Sequence, residues 1–233
     1  ISNYHNLYAS VGIAGVTALL VAITLPRKGS TKNEEHEFQQ KTRGSTSFLS
    51  DWKEVIQNRE VLAIGAVESA IYYTFGAFEF FLALYAKSIG FDEFLIGVIA
   101  GLQLVMVVLS KPLMGWVSDR IGRRTPIIIG LIISSVPLVV TSLATNFFEL
   151  IAVSVLYGLG FSLVTSSTVA LVSDLANKEL YGTSMGFLST IMDVGQTTGP
   201  IITGFILSSA GFSGAFLALG GILFVFSVFF AVT

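Results

Sequence analysis

The sequence predicts an all-α membrane protein, and three observations carry that expectation. Of 233 residues, 53% are hydrophobic and 12% charged, with a mean hydropathy of +0.78, whereas soluble domains carry about a quarter charged residues. The apolar residues gather in seven stretches, each near the roughly 20 residues that a helix needs to cross about 30 Å of hydrocarbon. Positive charges crowd onto alternate connections between those stretches, the asymmetry that orients polytopic chains. Within hydrocarbon each backbone N–H and C=O must be satisfied inside its own segment, so every stretch is expected to be a helix.

Composition also excludes. A net charge of −2 offers nothing to a phosphate backbone, so no nucleic-acid partner is expected. The chain has no cysteine, which removes disulfides, thiolate catalysis and Cys-ligated metals. His5 and His36 stand apart in polar surroundings without a ligand partner, so neither a metal nor another cofactor is expected. No G-x4-G-K-[ST] loop for ATP occurs, and the chain is not expected to be an enzyme.

In order, the stretches run over 7–25, 61–86, 94–117, 126–145, 147–172, 184–208 and 212–233. The first has no basic cluster before it and no small-residue cleavage site after it, so it is expected to be a span rather than a signal peptide. A polar, mixed-charge segment, 26–60, separates it from the other six. The end of that segment carries Phe48, Leu49, Trp52, Val55 and Ile56 at helical spacing, a pattern for a short interfacial helix. Placing 26–60 on the cytoplasmic side puts Arg27, Lys28, Lys32, Lys41, Arg43, Lys53, Arg59, Arg120, Arg123, Arg124 and Lys178 there. Lys87 alone falls outside, and Lys111 is close enough to the inner end of its span to snorkel. Because the chain starts at Ile1 and its last stretch runs to Thr233, it is expected to be part of a longer protein.

The inner connection between the third and fourth stretches reads "GWVSDRIGRR". Topology alone explains its positive sign. The spacing G-x-x-x-D-R-x-G-R-R, formed by Gly115, Asp119, Arg120, Gly122, Arg123 and Arg124, calls for more. Glycines allow a tight turn and close helix approach, Asp119 can cap or pair, and arginine forks can clamp carboxylates or helix ends across a neighbour. Here the sequence resembles the major facilitator superfamily, whose signature between helices 2 and 3, and again between 8 and 9, is this pattern. The resemblance implies a major facilitator fold with alternating access between two six-helix halves. It makes 1–25 helix 6 of the amino-terminal half, 26–60 the central cytoplasmic linker and 61–233 the carboxyl-terminal six-helix bundle. The missing amino-terminal half then becomes a partner, together with the lipid bilayer of the cell membrane.

A second pattern lies in "GFLSTIMDVGQTTGPIITGF", where Gly186, Gly195, Gly199, Pro200 and Gly204 follow G-x8-G-x3-G-P-x2-G-G with Thr203 in place of one glycine. It resembles the antiporter motif of drug:proton antiporters, although that motif belongs to helix 5 and this stretch would be helix 11. Small residues of this kind also serve ordinary helix packing. The resemblance implies efflux of a small molecule coupled to protons.

Carboxylates inside apolar stretches are costly and persist where water or a partner serves them. Glu68, Glu79 and Asp193 are the three. Eleven residues separate Glu68 from Glu79, close to three whole turns, which sets both on one helix face about 16 Å apart. Tyr72 and Phe75 fill the same stripe. Gln103 is a candidate for the same interior, and Ser162, Thr165, Ser166, Ser167 and Thr168 form a polar patch whose hydroxyls can also bond back to their own helix. Proton coupling through Glu68 is expected. The first, fourth and seventh stretches lack ionisable cores and are expected to face lipid. A seven-helix receptor fits the number of stretches, and a non-transporting scaffold fits the composition. Both stay open at this point.

Overall fold

Polar residues at the edges of the apolar stretches start the helices. The computed structural model describes residues 16–17, 52–176 and 180–232. Helix α1, Arg59–Ser88, begins where the Asn58 side chain accepts from Glu60 N at 3.0 Å and Val61 N at 3.3 Å. Glu60 in its first turn and Lys87 in its last both favour the helix dipole. Helix α2, Glu93–Ile121, starts at Asp92, which accepts from Leu95 N at 2.9 Å. Gly122 and Arg123 alone separate α2 from α3, Arg124–Thr141. Gly122 has φ 87°, a left-handed backbone that makes so short a turn possible. Helix α4, Phe147–Leu175, opens on a reciprocal capping box between Asn146 and Glu149.

The last helix, α5, is hydrogen-bonded from Tyr181 to Val232 over 52 residues. At 1.5 Å per residue a straight helix of that length would reach about 78 Å, far beyond a bilayer. Gly211, at φ 67° and ψ −174°, interrupts it, so 181–210 and 212–232 act as separate spans. The break falls between the sixth and seventh apolar stretches. Among the described residues there are five membrane-length apolar helices, and with this break they account for six of the seven expected spans. The stretch 7–25 and the segment 26–51, with His5, His36, Phe48 and Leu49, lie outside the described residues except for 16–17, which are helical. Lys178 lies outside them too.

Residues 52–57 are helical, as the Trp52/Val55/Ile56 spacing predicts. Val55 is buried with Val61 and Phe187. The Trp52 ring meets Phe187 edge-on at 5.9 Å, while Ile56 faces outward.

Helix α1 packs on the first part of α5 and on α4; α4 also packs on α2 and α3, and α3 on the second part of α5. The core consists of Ile64, Ile71, Phe78, Ile127, Leu131, Leu138, Tyr157, Phe216 and Leu219, all sealed from the exterior. Apolar side chains also cover the outside: Ile129, Ile132 and Val136 on α3, and Phe224, Val225 and Val228 on the second part of α5. An exterior of this kind suits a hydrocarbon solvent and not water.

Candidate functional site

Glu68 sits two and a half turns into α1 and is completely buried. Its Oε2 lies 2.5 Å from Thr168 Oγ1 of α4, and its Oε1 has no hydrogen-bond partner among the described residues. Lys111 of α2 is a charge that acts on it. One and two turns further along α1, Tyr72 and Phe75 close the space above it with Phe161 of α4: Phe75 stacks on Phe161 at 4.3 Å, and Tyr72 meets Phe161 edge-on at 5.2 Å. Thr74 Oγ1 and Tyr157 OH, both buried, share a second α1–α4 hydrogen bond of 3.0 Å. Glu68 is therefore held in a closed seam, tied to α4 through one of its two carboxylate oxygens.

Glu79 stands elsewhere in the bundle. It is exposed and borders two hollows. One, of about 260 Å³ between α1 and α2, is lined by Glu79, Gln103 and apolar residues such as Leu82 and Ile99. The other, about 470 Å³ and wide open, runs between α1 and α5 past Gln196 and Pro200. Gln103 is buried, and neither of its amide atoms has a partner among the described residues. Asp193 lies on the exposed face of α5, near enough for its charge to act on Tyr72. The structure thus brings Glu79 and Gln103 to one hollow, while Glu68 and Asp193 each act on Tyr72 through their charge.

Most hydroxyls of the polar patch do bond back to their own helix. Thr165 bonds Phe161 O at 3.0 Å and Ser167 bonds Leu163 O at 2.7 Å. Thr168 differs, because it also crosses to Glu68.

At the charged end, the Gly122 turn swings Arg123 back so that its guanidinium takes Asp119 one turn earlier and, through Nε, Asp174 Oδ2 of α4 at 2.9 Å. The hydrogen bond that Arg123 donates to Asp174, followed by the one it donates to Asp119, holds the guanidinium pKa above its usual range. Arg124 reaches Glu60 Oε1 at the start of α1 at 3.3 Å. Arg120 instead lies over the Trp116 ring at 4.0 Å, a cation–π contact. Gly115 meets nothing where a side chain would go. Asp174 and Glu60 were not singled out in the sequence. Each is an ordinary helix-end acid, and only the fold brings them to the arginines.

The glycine pattern on α5 divides as well. A side chain at Gly195 would strike the Ser69 carbonyl oxygen, and one at Gly199 the Tyr73 carbonyl oxygen, so α1 and α5 touch backbone to backbone there. Gly76 of α1 returns the contact against the Gln196 carbonyl. Gly186 meets nothing and Gly204 has only the Phe81 ring at 3.8 Å. Thr203, which stands where the pattern has glycine, is buried and shares a hydrogen bond of 3.2 Å with Tyr73 OH of α1. Pro200 borders the open hollow.

A bundle of membrane-length helices, with apolar exteriors, a carboxylate in a closed seam and an ion-pair cluster at one end, defines an integral, multi-pass membrane protein. The sequence profile of the Major Facilitator Superfamily matches residues 67–233, and the chain belongs to that family. Its helices form part of the major facilitator fold. It is similar to the multi-drug resistance efflux pump PmrA of Streptococcus pneumoniae, 28% identical over 152 residues, which cover 64% of this chain and 38% of that protein. It is also similar to the multidrug resistance protein MdtG of Salmonella typhimurium, 27% identical over 169 residues, 71% of this chain and 42% of that one. The chain therefore spans about two fifths of the length of these relatives.

Proposed function

We propose that these residues form the carboxyl-terminal half of a secondary transporter that moves a small molecule, in the manner of multidrug efflux, in exchange for protons. Residues 1–25 would supply the last helix of the amino-terminal half, 26–60 the cytoplasmic linker, and 61–233 the second bundle, in the cell membrane. The observation that carries the reading is Glu68: a carboxylate fully buried in a membrane helix, hydrogen-bonded across a helix seam. Such a group is costly in a membrane helix unless water or a partner serves it, which marks it as a candidate for function. The names of the similar proteins support efflux of diverse molecules.

In this reading the two halves rock about a central cavity and expose it to each side in turn. The hollow beside Glu79 and Gln103, apolar but for a carboxylate and an amide, suits a substrate with a large apolar body and few polar groups. The ion pairs of Arg123 and Arg124 tie α2, α3, α4 and α1 together at one end and bias one state. The test uses the full-length protein in sealed vesicles, with movement of a fluorescent lipophilic dye measured with and without an imposed pH gradient. Dye moving against its gradient only when the pH gradient is present supports the reading. Equal movement in both conditions contradicts proton coupling, and no movement of any of a broad panel of dyes contradicts multidrug transport.

A further inference from the structure

Thr168 has a single hydroxyl hydrogen and three oxygens in reach: Glu68 Oε2 at 2.5 Å, Val164 O at 3.0 Å and Thr165 O at 3.2 Å. One hydrogen cannot serve three acceptors at once. We infer that Thr168 is a reversible hydrogen-bond partner for Glu68, accepting from its acid form and donating to its carboxylate, so that α1 and α4 stay joined whether or not the proton is present.

The inference rests on Glu68 as the proton-carrying group. With Glu68 protonated, its O–H donates to Thr168 Oγ1, and the Thr168 hydrogen turns to the Val164 carbonyl one turn back. When Glu68 loses H⁺ to water its carboxylate keeps the electron pair, and the Thr168 hydrogen rotates to Oε2. No covalent bond of Thr168 breaks: its hydrogen leaves Val164 O for Oε2, and the direction of donation between Thr168 and Glu68 reverses. A hydroxyl can do both, because it carries a donor and an acceptor on one atom. Back-bonding to the helix is what gives it somewhere to put its hydrogen in the acid state. The other groups that bear on this site are Lys111 of α2, Tyr72 of α1 and, through Tyr72, Asp193 of α5. None of them is bonded to Thr168 in the structure, so a change at Thr168 leaves them in place.

Thr168 is a positioning residue in this account, and its effect is read at Glu68. The experiment is infrared titration of the purified full-length protein in liposomes, following the carboxylic-acid C=O band against pH, in wild type, E68Q, T168S, T168V and T168A. E68Q should delete a titrating band, which identifies it as Glu68. T168S keeps the hydroxyl and should keep the wild-type midpoint. T168V and T168A remove a donor that serves the charged form more than the neutral one, so their midpoints should move up by roughly one pH unit. T168A covers the case in which T168V does not insert. A band that E68Q deletes but whose midpoint neither T168V nor T168A moves would overturn the role of Thr168 and leave Glu68 standing. If E68Q deletes no titrating band, Glu68 does not carry the proton and the role assigned to Thr168 falls with it.

Discussion

Arg123 Nε donates to Asp174 Oδ2 at 2.9 Å, fastening the two-residue α2–α3 turn to the far end of α4, 51 positions along the chain. The same guanidinium takes Asp119, so a single side chain closes a triangle between two carboxylates and the turn. Exposed pairs of this kind contribute roughly 0.2–1 kcal/mol each, too little to hold the bundle together. A bias of that size is enough to shift the populations of two states separated by a few kcal/mol.

Asp119→Asn and Asp174→Asn are therefore expected to lower transport several-fold while leaving membrane level and thermal stability near wild type. The chain contains no cysteine, so single cysteines introduced beside the turn can report which state is exposed, and labelling there should rise in both variants. Wild-type transport and wild-type labelling would refute the gating role.

Gly199→Ala should destabilise the protein. A Cβ there meets the Tyr73 backbone, which cannot yield unless α1 and α5 separate. Overpacking of that kind costs about 1–3 kcal/mol and outweighs the roughly 1 kcal/mol that alanine gains in a helix. Gly186→Ala, which meets nothing, should be neutral or slightly stabilising. Melting temperatures in one detergent decide between them, and equal values for the two variants would contradict the packing account.

The Tyr73–Thr203 hydrogen bond should appear as a coupling of about 0.6 kcal/mol, the usual size in membrane helices, in a double-mutant cycle of Tyr73→Phe and Thr203→Val. Additive losses of stability would mean that the 3.2 Å contact contributes no more than shape.

Much of this fold was legible in the sequence because its signal is long and redundant. Each span is a run of apolar residues, and the polar caps Asn58, Asp92 and Asn146 mark where helices begin. Even the break at Gly211 falls where two apolar stretches were separated. The site was legible only in part. Glu68 announces itself as a lone carboxylate in an apolar stretch, but its partner Thr168 looks like any hydroxyl bonding back to its helix. Gly186 and Gly199 read alike in the motif, and only the neighbour's backbone tells them apart. Asp174, Glu60 and Gly76 acquire their meaning from elements distant in sequence, and spacing along one helix carries no trace of that.

Expressing the two halves of the full-length protein as separate chains should restore transport that neither half performs alone, since a cavity between halves needs helices from both. Each half should still insert, because span length and charge bias act locally. Robust transport by these 233 residues alone would point to a homodimeric carrier.

The central claim, that Glu68 carries the coupled proton, is tested most directly by Glu68→Gln in the full-length protein. The amide keeps the shape and can still accept from Thr168, but it cannot titrate. In proteoliposomes the variant should lose accumulation of dye against its gradient when a pH gradient is imposed, while dye-for-dye exchange at constant pH persists. Accumulation at the wild-type level driven by the pH gradient would contradict the account.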